Sequence, residues 1–172
     1  MLKNFDKLTD RMSDDKSIQN NLDLLADNTP SEEQEAVEQI LRTSCFLRHD
    51  IEAICEQFNL TKSQYFVLKI LNGIQPDALP RCEIIDKMIE PSPDVTRLID
   101  KLEQLGYVNR FRSKEDARMS MNKITNEGKD LLNQVNSAVY TYFQHIGNML
   151  TKDECIHLSG LCKKINSKKL NS

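Results

Sequence analysis

The sequence predicts a mainly α fold (α+β) in which a helix-turn-helix runs into one small β-hairpin, and three observations predict it. Val95, Leu98, Ile99, Leu102 and Leu105 recur at helical spacing and stop at Gly106, where a C-cap glycine belongs. After Gly106 the period changes: Tyr107 to Phe111 reads as a strand, Ser113 to Asp116 as a turn, and Arg118 to Ile124 as a return strand. Long helical patterns flank this segment on both sides. A short helix with a basic outer face running into a hairpin with a basic tip is the pattern of a winged helix-turn-helix. Such a module sets its helix in the DNA major groove and its wing in or near the minor groove.

Taken in order, the elements begin with a weakly amphipathic, acidic extension over residues 1–28, in which Phe5, Leu8 and Met12, then Ile18, Leu22 and Leu25, keep helical spacing. Thr29-Pro30-Ser31-Glu32 reads as a helix start, with Thr29 as N-cap, Pro30 at the first helical position and Glu32 closing a capping box. Val37, Ile40, Leu41, Leu47, Ile51, Ile54 and Phe58 mark an apolar face over a helix of about 40 Å, at roughly 1.5 Å per residue. That is longer than one small lobe covers. Thr61 and Gln64 form a second capping box, with Leu60 and Tyr65 as its hydrophobic staple, and Tyr65, Leu68 and Leu71 carry the core face to Gly73. Pro76 to Pro80 reads as a loop, Cys82, Ile85 and Met88 or Ile89 as a short helix, and Glu90 to Pro93 as the turn before the recognition helix, which Ser92 caps. Beyond the hairpin, Thr125 caps a second long helix carrying Leu131, Leu132, Val135, Val139, Tyr142, Phe143 and Ile146, and Gly147 ends it. Leu150-Thr151-Lys152-Asp153-Glu154-Cys155 starts a last helix with Leu158, Leu161, Cys162 and Ile165. The expected organisation is therefore an extension (1–28), a dimerisation helix (29–60), a winged lobe (61–125) and C-terminal dimerisation helices (126–170).

GYVNRFRSKEDARMSMNKITNEG resembles the wing segment of MarR-type regulators, the multiple antibiotic resistance family. Their pattern of a glycine, two apolar residues, an arginine, Asp-x-Arg and Leu-Thr-x-x-Gly falls here on Gly106, Tyr107, Val108, Arg110, Asp116, Arg118, Ile124, Thr125 and Gly128. Val95 to Leu102 is similar to the family's recognition helix, and the stretch from Leu150 to Ile165 to its last helix. The resemblance runs from about Pro30 to Leu170. It implies a homodimeric transcriptional regulator, expected to repress, that binds a pseudo-palindromic duplex and is modulated by a small amphipathic or aromatic molecule. The implied pocket lies where Cys45–Ile54, Tyr65–Leu68 and the second long helix approach. Two departures stand out. Ala117 replaces a basic residue common in the family, and Ser120 and Asn122 hold positions usually apolar, so that either the return strand shifts by one residue or the wing packs loosely.

The candidate DNA-binding residues are Ser92, Asp94, Thr96, Arg97 and Lys101 on the recognition helix and Arg112, Lys114, Asp116 and Arg118 on the wing. Arg97 suits bidentate readout of guanine, and Thr96 a thymine methyl or a phosphate. Arg118 suits a narrow A·T minor groove, with Asp116 orienting its guanidinium. Arg110, inside the first wing strand, reads as a structural arginine paired with a nearby carboxylate.

The net charge of −3 counts against indiscriminate nucleic-acid binding by the whole chain. Between Tyr107 and Lys123, however, five basic residues face two acidic ones. No run of about eighteen apolar residues predicts a membrane span, and MLKNFDKLTDRMSDD lacks the apolar core of a signal peptide. The five cysteines, odd in number and without Cys-x-x-Cys, fit a reducing cytoplasm and are expected to be buried thiols. A thiol-based sensor is an alternative, and so is a winged-helix protein-interaction module without DNA affinity. His49, His145 and His157 lie on separate predicted helices, so no metal is expected. Nor is a cofactor or enzymatic activity: there is no glycine-rich phosphate loop and no nucleophile elbow.

Overall fold

Capping chemistry sets most of the helix boundaries in the computed structural model, which describes residues 31–75, 77–88, 94–113, 116 and 118–169. Helix α1 spans Glu32–Glu56. Ser31 starts it: its Oγ accepts the Gln34 N–H at 3.3 Å. A hydrogen bond from Ser31 and one from its own backbone hold the Glu33 carboxyl below its ordinary pKa. The expected cap, Thr29, and Pro30 lie outside the described residues, as does the predicted 1–28 extension. The helix ends on Asn59, whose φ of 56° places it in the left-handed region. The N–H groups of Asn59 and Leu60 return to the carbonyls of Glu56 and Cys55, the pairing of a Schellman C-cap.

The chain divides into two compact units, residues 1–53 and 54–172. In the first, Val37, Ile40, Leu41 and Phe46 of α1 are exposed. The second is built on α2 (Lys62–Gly73), whose capping box of Thr61 and Gln64 is formed as expected. Tyr65, Val67, Leu68 and Leu71 are buried, because α2 packs against α3 (Arg81–Lys87), α4 (Val95–Gln104), β3 (Ser120–Ile124) and α5 (Asn126–Gly147). Tyr65 Oη donates to Asn136 Oδ1 on α5 at 2.9 Å. Burial, and secondarily the Cys55 thiol, pushes its pKa above that of an ordinary phenol, so it stays the neutral donor. Tyr65→Phe should cost about 1–2 kcal/mol in urea unfolding by leaving Asn136 unpaired; an unchanged midpoint would mean the bond adds nothing.

The sheet is three-stranded and antiparallel, in the order β1-β3-β2, with β1 at Leu79–Pro80 and β2 at Val108–Arg112. The loop expected over Pro76–Pro80 thus contains an edge strand, where proline's missing N–H is tolerated. The hairpin register runs from Val108 opposite Ile124 to Arg112 opposite Ser120. Neither alternative raised by Ser120 and Asn122 is needed: Asn122 points inward at 2 % exposure, and its Nδ2 donates to the Leu79 carbonyl at 3.0 Å. A polar residue occupies an interior position because it stitches β1 to the wing.

Three further expectations are corrected. In α3 the buried residue is Ile84, not Cys82 or Ile85, which are exposed; adjacent isoleucines in a seven-residue helix leave its inward face undecided by spacing. Leu105 and Phe143 are also exposed. Of the cysteines only Cys55 is buried, while Cys45 and Cys82 are exposed and Cys155 and Cys162 half-buried. The last two lie on α6 (Lys152–Lys169), whose Ile156, Leu158, Leu161 and Ile165 are exposed in a single chain. Its N-terminal box is formed: Glu154 Oε2 accepts the Thr151 N–H at 2.7 Å and Thr151 Oγ1 accepts the Glu154 N–H at 3.3 Å. Among the described residues no helix is long and apolar enough to cross a membrane, and no group of three or more His, Cys, Asp or Glu side chains could hold a metal.

Candidate nucleic-acid interface

Helix α4 has one apolar side and one basic side. Val95, Ile99 and Leu102 are buried, while Arg97 and Lys101 stand exposed one turn apart. Asp94, not Ser92, is the N-cap, and its carboxylate accepts the Arg97 N–H at 3.0 Å. Ser92 and Pro93 are outside the described residues. The same displacement occurs at Ser31: in both places the capping side chain belongs to the residue after a proline. Thr96 is half-buried, and its Oγ1 accepts from Arg81 Nη1 on α3 at 2.5 Å.

At its other end α4 turns into the wing through Gly106 (φ 78°). The N–H groups of Gly106 and Tyr107 reach the carbonyls of Glu103 and Leu102, both at 2.9 Å, a second Schellman cap that only glycine enters without strain. Thr125 closes the base of the wing. Its hydroxyl donates to the Gly106 carbonyl at 2.8 Å and accepts the Gly128 N–H at 3.0 Å, while its own N–H reaches Tyr107 O at 3.0 Å. Gly128 lies so close that a Cβ there would stand 2.3 Å from Tyr107 O. The glycine-to-Thr-x-x-Gly pattern is therefore one junction, where the end of α4, the start of β2 and the start of α5 are held by a single threonine.

Arg110 ties wing to helix. Its guanidinium pairs with Asp100 and, at 3.5 Å from Nε, with Glu103, as expected of a structural arginine. The tip is arranged differently from expectation. Asp116 Oδ1 accepts the backbone N–H of Arg118 at 2.9 Å, and its carbonyl accepts the Met119 N–H at 2.9 Å. Asp116 thus shapes the turn, because a short carboxylate reaches a backbone amide two residues on more readily than a long flexible guanidinium. The Arg118 and Arg112 side chains are exposed; Lys114 and Ala117 lie outside the described residues. Arg81 is the residue that sequence reasoning missed. A basic residue opening the first helix of a helix-turn-helix, directly after Pro80, is the signal that could have found it.

Half of the chain, residues 50–135, matches the sequence profile of a family described as transcriptional regulator SarA/Rot. The chain belongs to that family. The match takes in Arg81, all of α4, the wing and the Thr125–Gly128 junction. Among relatives of this SarA/Rot regulator is the HTH-type transcriptional regulator PapX of Escherichia coli, 28% identical over 136 residues, which cover 79% of this chain and 83% of PapX. The crystal structure of a MarR transcription factor from Planctomyces limnophilus is 32% identical, with a TM-score of 0.61, over 79% of this chain and 98% of the other. S. aureus MepR in complex with DNA has the same fold at a TM-score of 0.69 and 22% identity, covering 77% and 96% of the two chains. The MarR-type resemblance of the wing is borne out, and the SarA/Rot chain is a winged-helix transcriptional regulator rather than an enzyme.

Proposed function

We propose that the protein works in the cytoplasm as a homodimer that binds a pseudo-palindromic DNA duplex and represses transcription from it. The observation that carries this reading is the pairing of an exposed basic side on α4 (Arg97, Lys101) with Arg118 at the tip of a wing fastened to that helix by Arg110. In each half-site α4 enters the major groove, where Arg97 reads a base edge and Lys101 meets phosphate, while Arg112, Lys114 and Arg118 follow the adjacent minor groove and backbone. Asp94 and Asp116 act by capping and shaping, and Ser92 contributes a phosphate contact. MepR, which shares the fold, was crystallised with DNA, and this supports the same geometry here.

Residues 29–60 and 126–170 form the dimer interface and residues 61–125 the DNA-binding lobe, with 1–28 as an accessory arm. The exposed apolar residues of α1 and α6 support this, since large apolar side chains left uncovered at helical spacing on each helix are what a partner surface would bury. A small amphipathic effector acts by changing the spacing of the two recognition helices.

Random duplex DNA at low salt tests the reading: affinity should fall steeply and log-linearly with salt, and selection from random sequence should return half-sites about one helical turn apart. Sedimentation should show a dimer at low micromolar concentration, with an unfolding midpoint that rises with protein concentration. A compact monomer without DNA affinity would favour the protein-interaction module instead. The exposed Cys45 and Cys82 keep a thiol sensor as the second reading; loss of DNA affinity on mild oxidation, restored by reductant, would select it.

A further inference from the structure

We propose that Arg81 is a positioning residue that sets base specificity: by holding the Thr96 hydroxyl, it leaves the Thr96 methyl as the group offered to DNA, so that α4 selects thymine at one position of each half-site. The proposal rests on α4 being the recognition helix. Arg81 is placed by the fold rather than by chance. It follows Pro80, which pairs with Met121 in the sheet. It opens α3, which is anchored by fully buried Ile84 and packs against α4. From there Nη1 reaches Thr96 Oγ1 at 2.5 Å.

The chemistry of the two groups decides what remains for DNA. A guanidinium only donates, so the threonine oxygen is its acceptor. Threonine is branched at Cβ, and in a helix its χ1 divides between two rotamers that send hydroxyl and methyl in different directions. Pinning Oγ1 toward α3 fixes the methyl on the other branch. A freely rotating hydroxyl serves bases of any kind as donor or acceptor, whereas a methyl has one specific partner in the major groove, the C5-methyl of thymine. Without Arg81 the side chain would return to the less selective state.

The experiment uses the full chain with Arg81→Ala, Arg81→Lys, Thr96→Val and Thr96→Ser, each checked for unchanged thermal unfolding. Sites are selected from random duplexes, and affinities for the selected site and its thymine-replaced counterparts are measured across salt concentrations. Wild type should prefer thymine at one position by on the order of fourfold per half-site, the worth of one buried methyl. Thr96→Val, which keeps the methyl, and Arg81→Lys, which keeps a donor, should retain the preference. Thr96→Ser should lose it, and Arg81→Ala should reduce it below about twofold with the salt slope unchanged. An intact preference in Arg81→Ala with a slope lower by about one per subunit would overturn the proposal and make Arg81 a phosphate contact. Loss of preference in Thr96→Val would overturn it in favour of the hydroxyl as reader. Absence of wild-type binding to any duplex would sink the recognition-helix reading itself, an outcome distinct from the other two.

Discussion

Gly128→Ala should destabilise the fold by about 2–3 kcal/mol, although alanine is ordinarily the better helix residue by roughly 0.5–1 kcal/mol. The new Cβ would stand 2.3 Å from Tyr107 O and 2.9 Å from Ile124 Cγ1. The first neighbour is backbone, held by the Thr125 N–H, and so cannot swing aside as a side-chain end could. Either α5 lifts away from the base of the wing or the Thr125 hydroxyl gives up one of its two bonds. For a chain of this size the shift corresponds to a loss of roughly 5–10 °C in midpoint. Gly147→Ala, at the end of the same helix with nothing within 4 Å of a Cβ, is the control and should be neutral or slightly stabilising. Equal stability of the two variants would mean that the close approach at Gly128 relaxes freely.

The second large effect is on binding. Arg97→Ala should cost about 1–3 kcal/mol per half-site, so that a dimer loses roughly 30-fold to 10⁴-fold in affinity for its best site, and selected sites should relax at one or two base pairs. Arg118→Ala should weaken all sites alike and lower the salt slope by about two for the dimer, with any preference it carried confined to A·T-rich flanks. Unfolding should be unaffected in both, since the two side chains are exposed. If Arg118→Ala binds like wild type at every salt concentration, the wing does not touch DNA. Identical behaviour of the two variants would mean that α4 supplies charge without reading bases.

Local chemistry was legible in the sequence wherever a single side chain decides it. The boxes at Thr61–Gln64 and Thr151–Glu154, the cap at Thr125 and the left-handed Gly106 all occur where the residue types require them. The hairpin was legible because its period differs from that of its flanks. Misreadings fall where several local solutions have similar energy. Where two cap-competent residues flank a proline they compete, and the cap bonds are made by Ser31 and Asp94. Strand β1 is two residues long and is defined by Asn122 on a partner 43 positions away, which no local window contains. The same holds for Arg81 and Thr96, whose contact exists only once α3 and α4 have packed. Cysteine burial was misjudged at Cys155 and Cys162 for another reason: an apolar helix side says that something covers it, not that the same chain does.

The Arg110 pairs have a bearing on how binding responds to ionic strength. All three partners are roughly a third or more exposed, so their attraction is screened within the range of salt over which counterion release is measured. Added salt therefore acts twice: it competes for phosphate, and it loosens the strut that fixes the angle between reading helix and wing. Two such effects do not sum to a straight line. A plot of log affinity against log salt should bend downward at the high end, and Arg110→Met, which removes the charge and keeps a stem of similar length, should straighten it while lowering affinity throughout.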